Sequence, residues 1–515
     1  MIDNPLCLSL DIGTSSSRAM LWDAAGNEEA GVKAQVRYHF TTTPDGGVEM
    51  EADSFLDHVF QCLDEAMSQA GDRASAIRAI GISTYWHSML GLDKSGKPVT
   101  PIYSWADARP GDAARTLRKE WDETEVHART GCMIHPSYYP AKLKWLQKSF
   151  PEIYKKVARW SSPGEYLMGE LFGLKARCLS LSMASGTGLL NQINCDWDSE
   201  TLEKLQLTPE LFAPIVDLKN PSQGLASQYS TRWNALKEVP FFPAVGDGAC
   251  GNVGSGCITP ERMAINLGTS GAIRVMWSEE PEPAETATAG NSEKSKSSKG
   301  DEIQLPLGLW RYRADRKRPV IGGAFSDGGD VFAWMSRTLQ LPTGDELESK
   351  IAEMEPGAHG LTFLPFLGGE RSIGWNPAAR ASLTGLCLDS QPIEIMRCAL
   401  ESVALRFTLA ANLLRDAFPE AKQIVASGGA LTKSPAWSQI FADALGQPVT
   451  LAEEAEASSR GAALLAMEAA GIIASLEKTE ARMGKTYEPN DSNHKKYEAM
   501  LEKQQDNYRR LTEEQ

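Results

Sequence analysis

The sequence predicts an α/β protein made of two related halves, and three observations carry that prediction. Residues 8–18 read Leu-Ser-Leu-Asp-Ile-Gly-Thr-Ser-Ser-Ser-Arg and run on into Ala-Met-Leu-Trp. An apolar run that breaks at a tight polar turn and then resumes is the pattern of two short strands in a hairpin. Residues 264–275, Ala-Ile-Asn-Leu-Gly-Thr-Ser-Gly-Ala-Ile-Arg-Val, repeat it as apolar strand, Gly-Thr-Ser, apolar strand. Between them the order strands, helix, strand is that of an α/β layer. At 515 residues the chain is too long for one hydrophobic core. Two such turns, each opening one half of a long chain, predict a duplicated domain whose hairpins face each other across a cleft.

The first turn has the chemistry of an anion site. Gly13 lets the backbone come close to an anion, Thr14, Ser15 and the following serines offer hydroxyl and amide donors, and Arg18 brings a fixed positive charge. Asp11 would repel a phosphate and is therefore read as facing a magnesium ion. Taken alone, residues 11–18 fit an ordinary hairpin with a serine-rich turn equally well.

The formal net charge of −15 argues against a nucleic-acid or anionic-membrane partner, so any phosphate must be held by a local pocket. The 9 cysteines are scattered, with no Cys-x-x-Cys pair, and fit neither a disulfide framework nor a zinc site. No basic region precedes the short apolar run near the N-terminus, and no apolar stretch is long enough to span a bilayer. A cytoplasmic location is expected, and a homodimer is left open.

Past the first hairpin, Phe55, Val59, Leu63 and Met67 recur at the spacing of one helical face, and Ala-Ile-Gly-Ile-Ser at 79–83 follows as a buried strand. That strand runs into Tyr85, Trp86 and His87, and a second strand-like piece at Ile102 and Tyr103 runs into Trp105, Asp107 and Arg109. Such strand ends put polar groups beside aromatic faces. Polyols are held that way: hydroxyls take paired polar partners, and an aromatic face covers the apolar side of the carbon chain. Trp86, His87 and Trp105 also suit ordinary core positions. His135, in the loop before the helix that starts near Pro140, is a further candidate for the same pocket. Residues 160–240 carry no chemistry of their own.

Residues 241–254 are an apolar strand that ends on Gly246-Asp247-Gly248 and passes at once into a helix of small residues. Asp247 thus sits beside a helix N-terminus, whose dipole keeps a carboxylate ionised. A phosphoryl-transfer base needs that placement, and a plain N-cap aspartate shares it. Residues 278–302 lack periodicity and are expected to be an exposed insertion. A long helix over 392–411, a strand over 423–427 ending on Gly428, Gly429 and Ala430, and a helix over 434–445 follow. Two glycines at a strand-to-helix turn let a flat ring or a ribose lie against bare backbone, though a tight turn without a ligand uses them too. Tyr497, Met500, Leu501, Tyr508 and Leu511 line one face of a C-terminal helix expected to pack back on the body.

In this order and spacing the chain resembles the FGGY family of carbohydrate kinases from residue 8 to about residue 466. Residues 11–18 look like the family's first phosphate motif, 267–271 its second and 427–430 its adenosine motif. Gly246-Asp247-Gly248 stands where the family has its catalytic aspartate, and 366–386 corresponds to its long C-terminal signature. The resemblance implies two actin-like, ribonuclease H-like domains with ATP in the cleft between them: an N-terminal domain over 1–255, a C-terminal domain over 256–480 and a terminal helix over 481–515. It implies Asp247 as the base that orients and deprotonates a terminal hydroxyl. Mg2+ would be held, largely through water, by Asp11 and Asp247. Gly13, Thr14, Ser15, Arg18, Gly268 and Thr269 would steady the phosphates, and Gly428, Gly429 and Ala430 the adenosine. Trp86, His87, Trp105, Asp107, Arg109 and His135, with Asp247, would hold a small-molecule sugar or sugar acid.

Several stretches look most like gluconate kinases: residues 105–109, Thr130-Gly131 with Ile134-His135-Pro136, 268–274 and 320–323. For gluconate, His135 or Arg109 would meet the carboxylate. Xylulose kinases compete, since His87 matches the histidine of their Gln-Met-His-Gly stretch, and other pentulose or polyol kinases stay open. The chain departs from both at Tyr85-Trp86, expected to line the sugar pocket, and at Ile373. The rival of another class is a nucleotide-switched ATPase of the actin or heat-shock type, which shares the two hairpins but has no sugar pocket.

Overall fold

The computed structural model describes residues 4–173, 177–279 and 303–512. All but Ser278 and Glu279 of the expected insertion over 278–302 therefore lies outside the described residues. Strands β1 (Leu6–Ile12), β2 (Ser16–Trp22) and β3 (Glu28–Arg37) form an antiparallel meander, and β4 (Ile77–Thr84) and β5 (Val245–Gly246) extend it in parallel on the β1 side, giving the order β5-β4-β1-β2-β3. Helix α1 (Ala52–Ala70) covers β2 and β3 and buries Phe55, Val59 and Leu63. β1 is buried along its whole length, which is why its apolar run barely alternates.

The second sheet contains β6 (Arg262–Leu267), β7 (Gly271–Met276), β8 (Trp310–Arg313), β9 (Pro319–Phe325), β10 (Gln423–Ser427), β11 (Val449–Ala452) and β12 (Met483–Tyr487), in the order β8-β9-β7-β6-β10-β11-β12. Strands β9, β7 and β6 are antiparallel and β10 and β11 continue in parallel, so five of its strands repeat the first sheet in order and direction. The duplication predicted from two Gly-Thr-Ser turns is present in the sheets.

Helix α2 (Tyr139–Ser149) follows the loop that carries His135, and α3 (Asp247–Gly254) follows β5 directly. In the second half, α4 (Pro392–Ala417) is longer than its expected span and packs with α5 (Pro435–Leu445) in the second core. Helix α6 (Ala457–Ala469) packs across the seam between the two halves. It falls in the stretch 256–480 assigned to the second half, yet its Ala462 to Met467 face joins the first core, and Ser459 hydrogen-bonds Ser9 of β1 at 2.6 Å. The reason is a backbone-to-backbone crossing of α6 on α3. A Cβ on Gly461 would lie 1.8 Å from the Cys250 carbonyl oxygen, and one on Gly254 would lie 1.8 Å from that of Ala457.

Helix α7 (Asp491–Thr512) packs back on the second domain through Tyr497 and Gln504. Leu511 was expected on that face but is exposed, because the packing ends with Tyr508 against Phe366 one turn earlier. None of the nine cysteines is in a disulfide, and seven are buried. Among the described residues no helix is long and apolar enough to cross a membrane.

Because no side chain fits the crossing of α3 and α6, Gly461→Val is expected to lower stability by about 3 kcal/mol or more, the upper part of the range for overpacked sites. Urea unfolding checks this, and an unchanged midpoint would show that the two helices separate freely.

Candidate active site

The two hairpin turns and the glycine turn are open to solvent. At the first, the Gly13 amide donates to the Ser16 carbonyl at 2.9 Å, the Tyr38 hydroxyl donates to the Gly13 carbonyl at 2.6 Å, and Thr14 and Ser15 stay at least partly exposed. At the second, the Gly268 amide donates to Ser270 and the Gly268 carbonyl accepts from Gly329 at 2.7 Å. A Cβ on Gly268 or Gly429 would meet nothing closer than 4.0 Å, so bare backbone faces free space at both. Gly428 turns with φ +96° and packs on Leu267, which brings Gly429 and Ala430 next to the second hairpin. These surfaces fit a polyphosphate and a nucleoside.

Asp11 ends β1, and Asp247 opens α3 two strands away. Burial pushes the Asp11 carboxyl up to about 6, against the pull of Ser83 and Arg18, and the charges of Asp247 and Glu456 push it further. Asp247 is raised chiefly by burial, while Arg274, the Gly248 amide at 2.7 Å and Arg371 draw it back. A divalent cation beside the two carboxylates would relieve the opposition that Asp247 offers to the ionisation of Asp11. Among the described residues no group of three or more His, Cys, Asp or Glu is placed to hold a metal. The donor set therefore suits an ion that keeps water and phosphate oxygens, as magnesium does.

The acceptor side is closed and aromatic. Trp86 fills the space that Gly246 leaves open, donates from Nε1 to the Ser182 carbonyl at 2.9 Å, and stands 4.9 Å from the Tyr312 ring. Tyr85 instead packs edge-on against Phe40, 5.8 Å away, in the first core. His87 has φ +68°, and its carbonyl accepts from the buried Lys142 ammonium at 2.7 Å, as does that of Ser137 at 2.9 Å. Burial drives the Lys142 proton affinity down to about 7, with Asp107 acting the other way. Burial, with Arg371 nearby, keeps His87 and His135 neutral. His87 Nδ1 donates to the Gly186 carbonyl, whereas His135 Nδ1 accepts from the Ser137 amide at 3.3 Å. The first ring thus has Nε2 as an acceptor and the second as a donor, a complementary pair for hydroxyl groups.

The arginines are arranged differently from the sequence expectation. Arg109 is held by Asp107 and Glu49, both 2.5 Å from its Nη2, with Trp145 under its plane at 4.9 Å. Burial opposes its charge, but those two carboxylates hold its proton above the ordinary arginine range. With its charge already answered, Arg109 serves to fix Asp107. Arg18 likewise shares Glu456 at 3.4 Å and Asp11 at 3.7 Å. Two arginines to which the sequence reading gave no role are unengaged. Arg371, only 9% exposed, lies over Trp105 at 5.1 Å and Trp375 at 5.8 Å, and Arg274 reaches from β7 to the start of α3. Neither side chain has a hydrogen-bond or ion-pair partner among the described residues, and the Nε of each is buried. Both lie within stretches quoted for the family likeness, 366–386 and 268–274, so position in a motif was the available signal.

Residues 6–254 match the FGGY family of carbohydrate kinases, N-terminal domain, and residues 263–470 its C-terminal domain. The chain belongs to the FGGY family of carbohydrate kinases. A gluconokinase of Bacillus subtilis is 29% identical over 508 residues, covering 96% of this kinase and 94% of that protein. A glycerol kinase of a Geobacter species is 28% identical over 473 residues, covering 90% of each. Among solved structures, a gluconate kinase and a ligand-bound xylulose kinase, both from Lactobacillus acidophilus, each superpose with a TM-score of 0.86 at 25% identity, over 99% of this chain and 98% and 99% of theirs. The kinase is thus a two-domain sugar kinase, and the actin-type or heat-shock-type ATPase is set aside.

The loop that carries Arg371 is tied down from behind. Glu370 accepts from the Tyr508 hydroxyl of α7 at 2.5 Å, from the Gly374 amide at 3.1 Å and from Arg406 of α4. Arg371 thereby depends on the C-terminal helix. Tyr508→Phe is expected to raise KM for the sugar about three- to tenfold, the ordinary net value of one hydrogen bond, with kcat little changed. Steady-state kinetics check this; an unchanged KM would mean that Arg406 and the Gly374 amide hold Glu370 without Tyr508.

Proposed function

We propose that the kinase transfers the γ-phosphoryl group of ATP to the terminal hydroxyl of a sugar acid, with D-gluconate, giving 6-phosphogluconate, as the substrate. The observation that carries the choice is Arg371. A buried guanidinium without a partner, flanked by Trp105, Trp375 and two neutral histidines, is matched by a carboxylate and wasted on a neutral polyol. The similarity to a gluconokinase and a gluconate kinase supports the same reading. A neutral ketose is the second reading, favoured by the likeness to a xylulose kinase and by the placement of His87 in the pocket.

In this reading Asp247 orients the hydroxyl and takes its proton, and the raised affinity that burial gives it suits a base of that kind. Gly13, Thr14, Ser15, Gly268 and Thr269 cradle the phosphates, while Gly428, Gly429 and Ala430 face the adenosine. Arg18, shared with Glu456, braces the first turn. Trp86, His87, Asp107 and His135 hold the polyol, and Arg109 keeps Asp107 in place. Magnesium, when bound, would offset charge on the β- and γ-phosphates beside Asp11 and Asp247. The positioning and electrostatics come from the protein, which is most of what phosphoryl transfer requires.

Asp247→Ala is expected to lower kcat at least about a hundredfold while ATP still binds; near-normal turnover would remove Asp247 from the chemistry. In a coupled ADP-release assay over D-gluconate, D-xylulose, L-ribulose, glycerol and erythritol, gluconate is expected to be the preferred acceptor. Arg371→Met should raise KM for gluconate by about 10- to 150-fold, the value of a charge-assisted hydrogen bond, and leave any activity on neutral acceptors unchanged. Preference for a ketose would discard gluconate and keep the kinase chemistry.

A further inference from the structure

Arg274 leaves the second hairpin on β7 and crosses the seam between the domains. A Cβ on Gly248 would lie 2.8 Å from its Nη2, and one on Gly322 of β9 would lie 2.9 Å from its Cγ, so both glycines clear its path. Its head therefore rests on the first turn of α3, beside Asp247, without bonding to it: Asp247 accepts from the Gly248 amide and forms no ion pair. Nε of Arg274 is buried without a partner. Arg18, the cation expected to steady the phosphates, is instead divided between Glu456 and Asp11, and Lys33 shares Glu456 at 2.8 Å. Of the two cations, the one next to the base is the one left unengaged.

The geometry points to Arg274 as the catalytic arginine that neutralises the phosphoryl group in flight, supplied from the second domain to a base on the first. The inference rests on the ATP-dependent transfer proposed above. In that step the acceptor hydroxyl oxygen forms a bond to the γ-phosphorus as the bond from that phosphorus to the β,γ-bridging oxygen breaks. The electron pair of the broken bond leaves on ADP, and the hydroxyl proton passes to the Asp247 carboxylate. Arg274 gives up no proton. Its fork meets the equatorial oxygens, whose charge it answers more strongly in the transition state than in bound ATP, where the phosphates already have the backbone amides of the two turns. Arg371 is near enough to act on both Asp247 and Arg274, but its guanidinium lies over Trp105 and Trp375 and not on the first turn of α3, so one guanidinium reads the acceptor and the other the transferred group.

The experiment compares the unaltered kinase with Arg274→Met and Arg274→Lys, measuring turnover with D-gluconate and ATP, and affinity for ADP with and without aluminium fluoride. The methionine variant is expected to lose at least about a thousandfold in kcat, the range for removal of such an arginine, while KM for gluconate and the ADP affinity change less than about threefold. The tightening of ADP by aluminium fluoride should vanish, and added guanidinium should restore part of the rate. Should the methionine variant fail to bind ADP for want of folding, the lysine variant carries the test, with kcat expected at least about tenfold down and ADP binding intact. Turnover within about threefold of the unaltered kinase in Arg274→Lys and within about tenfold in Arg274→Met overturns the inference and leaves the kinase reading standing. A loss confined to KM for gluconate also overturns it, making Arg274 a reader of the acceptor. Absence of turnover by the unaltered kinase on every acceptor removes both the inference and the reading beneath it.

Discussion

Two guanidinium groups at the seam between the domains, each with its Nε buried and neither with a hydrogen-bond partner among the described residues, set the conditions for the rest of the site. Leaving a charge out of water without an answering group costs several kcal/mol, so a fold that keeps Arg274 and Arg371 in this state must be held together by other means. The aromatic faces of Trp105 and Trp375 shelter Arg371, and Gly248 and Gly322 make room for Arg274. The neighbouring histidines stay neutral, chiefly because they are buried and further because Arg371 already places a positive charge near them. What the protein withholds, an anionic acceptor and an anionic phosphate would supply.

The two ends of the site are built for different tasks. At the nucleotide end the turns are exposed, and bare glycine backbone faces open space. At the acceptor end the domains are fastened to each other. The Arg311 amide donates to the Gly131 carbonyl at 2.9 Å, Tyr138 and Tyr312 share a hydrogen bond of 2.5 Å, His127 pairs with the Leu309 carbonyl at 2.7 Å, and Arg118 donates to the Trp375 carbonyl at 2.7 Å. The pocket proposed for the small substrate would therefore be assembled from both halves, with Trp86, His87 and His135 from one and Tyr312, Arg371 and Trp375 from the other. Neither half alone contains it.

Much of this was legible in the sequence, and the parts that were not share a physical cause. The hairpins around Gly13 and Gly268 showed because a strand–turn–strand unit is local, and Asp247 showed because a strand end next to a helix start is local too. Trp86 and His87 stood out by residue type at a strand end. The partners of a charge are set by tertiary contact, so the sequence did not separate the engaged Arg18 and Arg109 from the unengaged Arg274 and Arg371. Glu456 lies far along the chain from Arg18, and Glu49, which holds Arg109 together with the neighbouring Asp107, lies sixty residues from it. The packing of helix α6 on the first core was hidden for the same reason: Gly461 and Gly254 make their close approach across some two hundred residues of chain, and only the folded structure brings them together.

The measurement that tests the central claim most directly is a crystal structure of the kinase with D-gluconate and a non-hydrolysable ATP analogue bound together. The expected result is the gluconate carboxylate on Arg371, its terminal hydroxyl on Asp247 and the γ-phosphate within reach of Arg274. A carboxylate bound away from both arginines, with their guanidinium groups still unpaired in the complex, would contradict the account.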